Sequence, residues 1–195
     1  MKRLEIIQTL IDKIDAKNYL EIGLGGGENF KAIKCENKIG VDPNFKYENT
    51  LKITSDSFFE QNTKTFDVIF IDGLHWSEQV YRDIVNSAKV LSWYGYIICH
   101  DMNPHTEFMQ KYPQEREGEW TGDCWKALVK LRTEENDLNI SVVNTDYGCG
   151  IIKKGIKNSL KVDIDLTWKN LVKNKTNWLN LITVKEFIKL YGKKH

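Results

Sequence analysis

At 195 residues, 41% hydrophobic and 28% charged, the chain has room for one good core and too little for two. Its net charge of +1 conceals a split: residues 153–195 carry 11 lysines against 3 acids (+8), and residues 1–152 carry 17 basic against 24 acidic side chains (−7). The acidic main body and the lack of a recognisable binding module argue against nucleic acid as a partner, no stretch approaches the roughly 20 apolar residues of a membrane span, and the late lysines read as the solvated faces of small helices.

Met1 to Asp15 places charges between Leu4, Ile7, Ile11 and Ile14. That is an amphipathic helix over residues 2–15 and not a leader, so a cytoplasmic protein is expected. Four dispersed cysteines, Cys35, Cys99, Cys124 and Cys149, form no C-x-x-C pair and are expected as buried thiols.

A strand, Asn18 to Ile22, then runs into Gly23-Leu24-Gly25-Gly26-Gly27, a turn whose backbone can touch a ligand. A dinucleotide fingerprint, G-x-G-x-x-G, needs glycine where Glu28 stands, which weakens a nicotinamide reading and leaves E-x-G-x-G-x-G from Glu21. After a short helix near Asn29 to Lys34, a second strand ends in Asp42, 21 residues beyond Glu21. An acid at that place bonds ribose hydroxyls in nucleotide-binding α/β folds. Leu51 to Thr54 reads as a third strand, and Ser55 or Asp56 caps a helix containing Phe58 and Phe59.

Phe66 to Ile71 is a continuous apolar run closed by Asp72-Gly73, the pattern of a central buried strand. Ser77 is expected to cap a helix with Val80, Ile84, Ala88 and Leu91 on one face, ending at Trp93-Tyr94-Gly95. A fifth strand, Tyr96 to Cys99, delivers His100-Asp101. Residues 101–121 form a polar loop too long for a mere connection, hence a lid or substrate loop. Asp123 is placed to cap a helix from Cys124 to Leu131, a hairpin pairs Ile140 to Val143 with Cys149 to Lys153, and helices over Leu166 to Lys173 and Val184 to Tyr191 finish the chain. The alternation predicts an α/β fold: a Rossmann-like, doubly wound, seven-stranded sheet with its last strand antiparallel. The expected organisation is a main domain over residues 1–155 with a helical C-terminal extension, residues 156–195, packed on it as an accessory layer or a homodimer contact.

The segments Glu21 to Gly27, Asp42-Pro43, Ile71-Asp72-Gly73-Leu74-His75, His100-Asp101-Met102-Asn103-Pro104 and Trp120 to Lys126 together resemble class I S-adenosyl-L-methionine (SAM) dependent methyltransferases. The likeness is to the bacterial group related to enzymes that methylate sugar hydroxyls in macrolide and aminocoumarin biosynthesis. It spans about residues 18–155, and residues 156–195 carry no assignable motif. The resemblance implies that Gly23, Gly25 and Gly27 admit the methionine part of SAM beside Glu21 and Asp72, that Asp42 meets the ribose, and that Asp56 meets the adenine. It also implies a divalent cation, Mg or Mn, held by Asp72 and the pair His100-Asp101. Relatives carry an acid where His100 stands, and an imidazole suits Mn²⁺, Fe²⁺, Co²⁺ or Zn²⁺ better than Mg²⁺.

A SAM enzyme must align an acceptor with the methyl group and deal with the acceptor's proton. Two solutions fit: a cation between Asp72 and Asp101 that acidifies the hydroxyl, or a histidine base, His75 or His100, at the strand ends where open α/β sheets bind ligands. Trp120 and Trp125 either pack the loop or stack on a sugar ring, and His105 either meets the acceptor or is simply exposed. The expected function is methyl transfer from SAM to a hydroxyl of a small molecule or glycan; the alternative is a SAM-binding protein, sensor or partner subunit, without that chemistry.

Overall fold

The computed structural model describes residues 1–134, 137–156 and 159–192; His195 lies outside them. In chain order the elements are α1 (Arg3–Ile14), β1 (Asn18–Ile22), α2 (Glu28–Ala32), β2 (Asn37–Val41), β3 (Thr50–Leu51), α3 (Ser55–Gln61), β4 (Phe66–Ile71), α4 (Ser77–Val90), β5 (Leu91–Cys99), α5 (Trp125–Thr133), β6 (Leu138–Val143), β7 (Cys149–Lys154), α6 (Trp168–Leu179), β8 (Leu181–Ile182) and α7 (Val184–Tyr191). They build one sheet in the order β3-β2-β1-β4-β5-β7-β6-β8, in which β7 runs antiparallel to both β5 and β6.

This is the doubly wound, Rossmann-like architecture, with eight strands in place of seven. The additional strand, Leu181–Ile182, pairs parallel with β6; two residues carry no alternation for a sequence to display. Successive residues of the central strands feed opposite cores, as the period of two requires. Leu20, Ile22, Ile69, Ile71 and Ile97 pack towards α3, α4, α5 and α6, and Tyr19, Val68, Phe70 and Ile98 towards α1, α2 and α7. None of the helices among the described residues is long and apolar enough to cross a membrane.

Four local expectations are corrected. The apolar face read as continuing to Leu91 stops at Val90, and Leu91 already pairs with Phe66 of β4. The register then jumps, throwing Trp93 (66% exposed) and Tyr94 (80%) out of the ladder. Ser77 is the first residue of α4 and caps nothing; the Asp123 carboxylate accepts from Ser77 N at 2.7 Å and from Ser77 Oγ at 3.0 Å. Asp123 therefore caps α4 across space and not its own helix. Thr54 caps α3 by accepting from Ser57 N, with Ser55 and Asp56 inside the first turn. All four cysteines are free, and Cys99, Cys124 and Cys149 are buried.

Candidate functional site

The strand order turns back between β1 and β4, and the C-terminal ends of these strands open a crevice there. Leaving β1, the chain passes through Gly23 (φ +81°) and Gly25 (φ +50°). A Cβ on Gly23 would stand 2.2 Å from the carbonyl oxygen of Asp72, so the protein itself excludes a side chain there. Around Gly25 a Cβ would meet nothing within 4 Å; its backbone faces open space. Asp42 fastens this loop, Oδ2 accepting from Leu24 N at 2.8 Å and Oδ1 from Asn44 N at 2.7 Å and Phe45 N at 3.0 Å. Glu21, 1% exposed, accepts from Tyr19 OH at 2.6 Å and Asn29 Nδ2 at 3.0 Å. Burial pushes its pKa up to about 7 against those two bonds, which lower it.

Two clefts meet here. One, of 490 Å³, is lined by Gly23, Gly25, Asp42, Asp56, Asp72 and Gln79. The other, of 610 Å³, shares Gly23, Gly25 and Asp72 with it and continues to His75, His100 and Asp101.

Ladder bonds from Asp72 N to Ile22 O and from His100 N to Ile71 O carry the parallel pairing one residue past the strands, which sets Asp72 and His100 side by side. His75 Nε2 lies 3.4 Å from Asp72 Oδ1 and 3.3 Å from Asp101 Oδ2, and His100 Nδ1 lies 3.5 Å from Asp72 Oδ1 and 3.2 Å from Asp101 Oδ1. Donor atoms of Asp72, His75 and Asp101 all fall within 4.8 Å of one another. All four residues singled out in the sequence thus come together. Burial opposes the charged forms, but the hydrogen bonds from His100 and His75 outweigh it and hold Asp72 well below the usual carboxylate range. The same carboxylates raise His75 above its ordinary value, against burial.

Two further members carried no sequence signal. Asp146 lies in the turn between β6 and β7, and the antiparallel β5–β7 pairing brings that turn to the end of β5, where Asp146 Oδ2 lies 3.6 Å from His100 Nε2. Arg3, at the start of α1, places Nη1 2.7 Å from His100 Nε2 and donates its backbone N–H to Asp146 Oδ2 at 2.8 Å. The same Nη1 lies 3.1 Å from His100 Nδ1, so the guanidinium stands against both ring nitrogens. The carboxylates favour a protonated ring: burial lowers the His100 pKa, but its bonds with Asp101, Asp146 and Asp72 outweigh this and push it up to about 12.

The polar loop is fastened over the cleft by rings. Trp120 packs on His75 (centroids 4.9 Å apart) and on Tyr112 (6.2 Å), which stacks on Trp76 (5.9 Å). Trp125 is fully buried and stacks on Trp178, which makes it a core residue; His105 is exposed.

A family model described as a methyltransferase domain matches residues 34–102. Curated protein sequences give no significant match. Among solved structures, the chain is similar to a Staphylococcus aureus protein assigned as a caffeoyl-CoA O-methyltransferase (20% identity, TM-score 0.61, 78% of this chain and 82% of that one). It is also similar to an O-methyltransferase from Bacillus cereus in complex with S-adenosylhomocysteine (15%, 0.54, 77% and 78%). A third is the MycE methyltransferase of the mycinamycin biosynthetic pathway, in complex with Mg and S-adenosylhomocysteine (17%, 0.52, 88% of this chain and 54% of that one). These likenesses establish the fold as the Rossmann-like methyltransferase fold.

Proposed function

We propose that the protein is a SAM-dependent methyltransferase acting on a hydroxyl of a small molecule or carbohydrate, with a divalent cation at the acceptor. The observation that carries this reading is the position of Asp72, in the wall common to the glycine-loop cleft and the imidazole–carboxylate cleft. A donor in the first would present its reactive group at the second.

The residues fit both groups. The glycine loop offers open backbone at Gly25, Glu21 stands behind it, and Asp42 Oδ2 accepts one bond and keeps lone-pair capacity. When bound, SAM supplies a methyl group on a sulfonium, an excellent leaving group. Asp72, Asp101 and His75 would hold the cation, whose Lewis acidity lowers the pKa of an acceptor hydroxyl. Two carboxylates converging on one point repel unless a cation lies between them. His100 orients both carboxylates from Nδ1, which lies 3.5 Å from Asp72 Oδ1 and 3.2 Å from Asp101 Oδ1. His75 is more accessible, its side chain 20% exposed against 3% for His100. It is placed either to complete the cation site through Nε2 or to take the hydroxyl proton.

The test is incubation with methyl-labelled SAM and a panel of nucleotide sugars, free sugars and small hydroxylated metabolites, with and without chelator. Chelator-sensitive label in an acceptor is the expected result. Transfer that persists in excess chelator removes the cation and leaves the histidine base, SAM binding with no acceptor labelled favours the non-catalytic alternative, and absence of SAM binding overturns the reading.

A further inference from the structure

Beneath the glycine-loop cleft lies a polar cluster that no motif announces. Gln79, 9% exposed on α4, directs Nε2 at three oxygens: Asp83 Oδ1 at 3.0 Å, Ser55 Oγ at 3.2 Å and Asp56 Oδ1 at 3.2 Å. The orientation of its amide is decided chemically. Arg82 Nη2 donates to Gln79 Oε1, and an arginine has no acceptor with which to receive the flipped amide. A flip would also set Oε1 against three oxygens. The hydrogen count closes, because the Ser55 hydroxyl supplies its own proton to Asp83, leaving the two Nε2 hydrogens for Asp56 and Asp83.

Asp83 is 1% exposed and anchors the amide from below. Asp56 sits in the cleft wall with its side chain 46% exposed. Its Oδ1 takes Gln79 Nε2 and stands 3.7 Å from Arg82 Nε, and among the described residues no hydrogen bond or ion pair engages Oδ2. A carboxylate oxygen fixed in this way accepts only, so it pairs with an N–H and repels a carbonyl.

We infer that Gln79 is a positioning residue that aims the Asp56 carboxylate into the cleft, making this wall selective for a 6-amino purine over a 6-oxo purine. The inference rests on the SAM reading above and adds to it the device that distinguishes the base. Gln79 itself touches no reacting atom.

The experiment is calorimetric titration of the whole protein with S-adenosylhomocysteine and with S-inosylhomocysteine, its 6-oxo counterpart. One hydrogen bond to a charged group corresponds to about 10- to 100-fold in affinity, so the wild type should prefer the adenosyl compound by that factor. Asp56→Ala should abolish the preference. Gln79→Leu should remove most of it by weakening the adenosyl compound while the inosyl compound binds nearly as before; a merely structural role would weaken both alike. Arg82→Met, at a half-exposed side chain, frees the amide without opening the core and should lower the preference several-fold, keeping the test valid if Gln79→Leu does not fold. Wild-type preference in either folded variant, or equal loss for both compounds, overturns the inference. A wild type that binds neither compound overturns the SAM reading with it, an outcome separate from tight adenosyl binding indifferent to Gln79.

Discussion

Nε2 of His75 lies 3.3 Å from Oδ2 of Asp101, although the first follows β4 and the second β5. Asp101 makes this contact with φ at +63°, a conformation that costs a non-glycine residue about 1 kcal/mol or more. Asp101→Asn and His75→Ala should therefore disturb the chemistry more than the fold. For His75→Ala we expect turnover to drop by about 10²–10⁴, with affinity for S-adenosylhomocysteine retained. Full activity of His75→Ala would remove His75 from the mechanism.

Glu21 makes stability depend on pH. Its pKa rises from 4.5 to about 7 in the folded state, chiefly through burial. Between those values the native state binds a proton that the unfolded chain has released, so stability falls as pH rises. The contribution is complete below about 4.5 and lost through about 7, and is on the order of 3 kcal/mol at most. Glu21→Gln cannot titrate, and its loss of Tm between pH 5 and pH 8 should be visibly smaller than that of the wild type. Parallel curves would contradict the assignment.

The alternation of strands and helices, and Asp72, His75, His100 and Asp101 as residues at strand ends, were legible because each rests on a strong local pattern: an apolar run ended by an acid, or glycines after a strand. The partners of those residues were not legible. Arg3 reaches His100, and Asp146 reaches both, only because β7 runs antiparallel beside β5 and the start of α1 lines the same cleft. Leu91 misled because a helical spacing continued across a helix–strand junction. Asp123 misled for the opposite reason: it had cap chemistry beside a helix and spends it on a different one.

That distant cap has a measurable energy. The Asp123 carboxylate satisfies the first N–H of α4 and the Ser77 hydroxyl, and Lys126 Nζ lies 3.0 Å from it. Asp123→Ala leaves these groups near the surface without a partner and should cost about 1–2 kcal/mol. Chemical denaturation should show this as a lower midpoint at unchanged slope. Ser77→Ala, which keeps the backbone bond, should cost less.

For the C-terminal extension, residues 156–195, we propose a role as a covering layer on the main domain. Leu171, Trp178 and Leu179 join one core and Phe187 the other, and Arg132 Nη1 donates to the carbonyls of Asn177 and Trp178. Trp178→Ala removes a ring stacked on Trp125 and should cost about 3–5 kcal/mol, read as a large fall in Tm. Truncation after Gly155 also removes β8 from the end of the sheet and should destabilise more, while preserving the parallel strands β3-β2-β1-β4-β5; a truncated chain as stable as the whole would refute the covering role.

The loop glycines separate structure from function. Gly23 and Gly25 both hold positive φ, but only Gly23 is crowded by the protein, its absent Cβ standing 2.2 Å from Asp72 O. Gly23→Ala must push apart the ends of β1 and β4 and should lower Tm and ligand binding together. Gly25→Ala meets no protein atom within 4 Å, and at φ +50° its backbone cost is about 1–2 kcal/mol. If the open space beside it receives the cofactor, the added methyl group should abolish S-adenosylhomocysteine binding in a protein that is only modestly less stable. Paired melting curves and titrations of the two variants decide the matter: a Gly25→Ala protein that binds as tightly as the wild type would place the cofactor elsewhere.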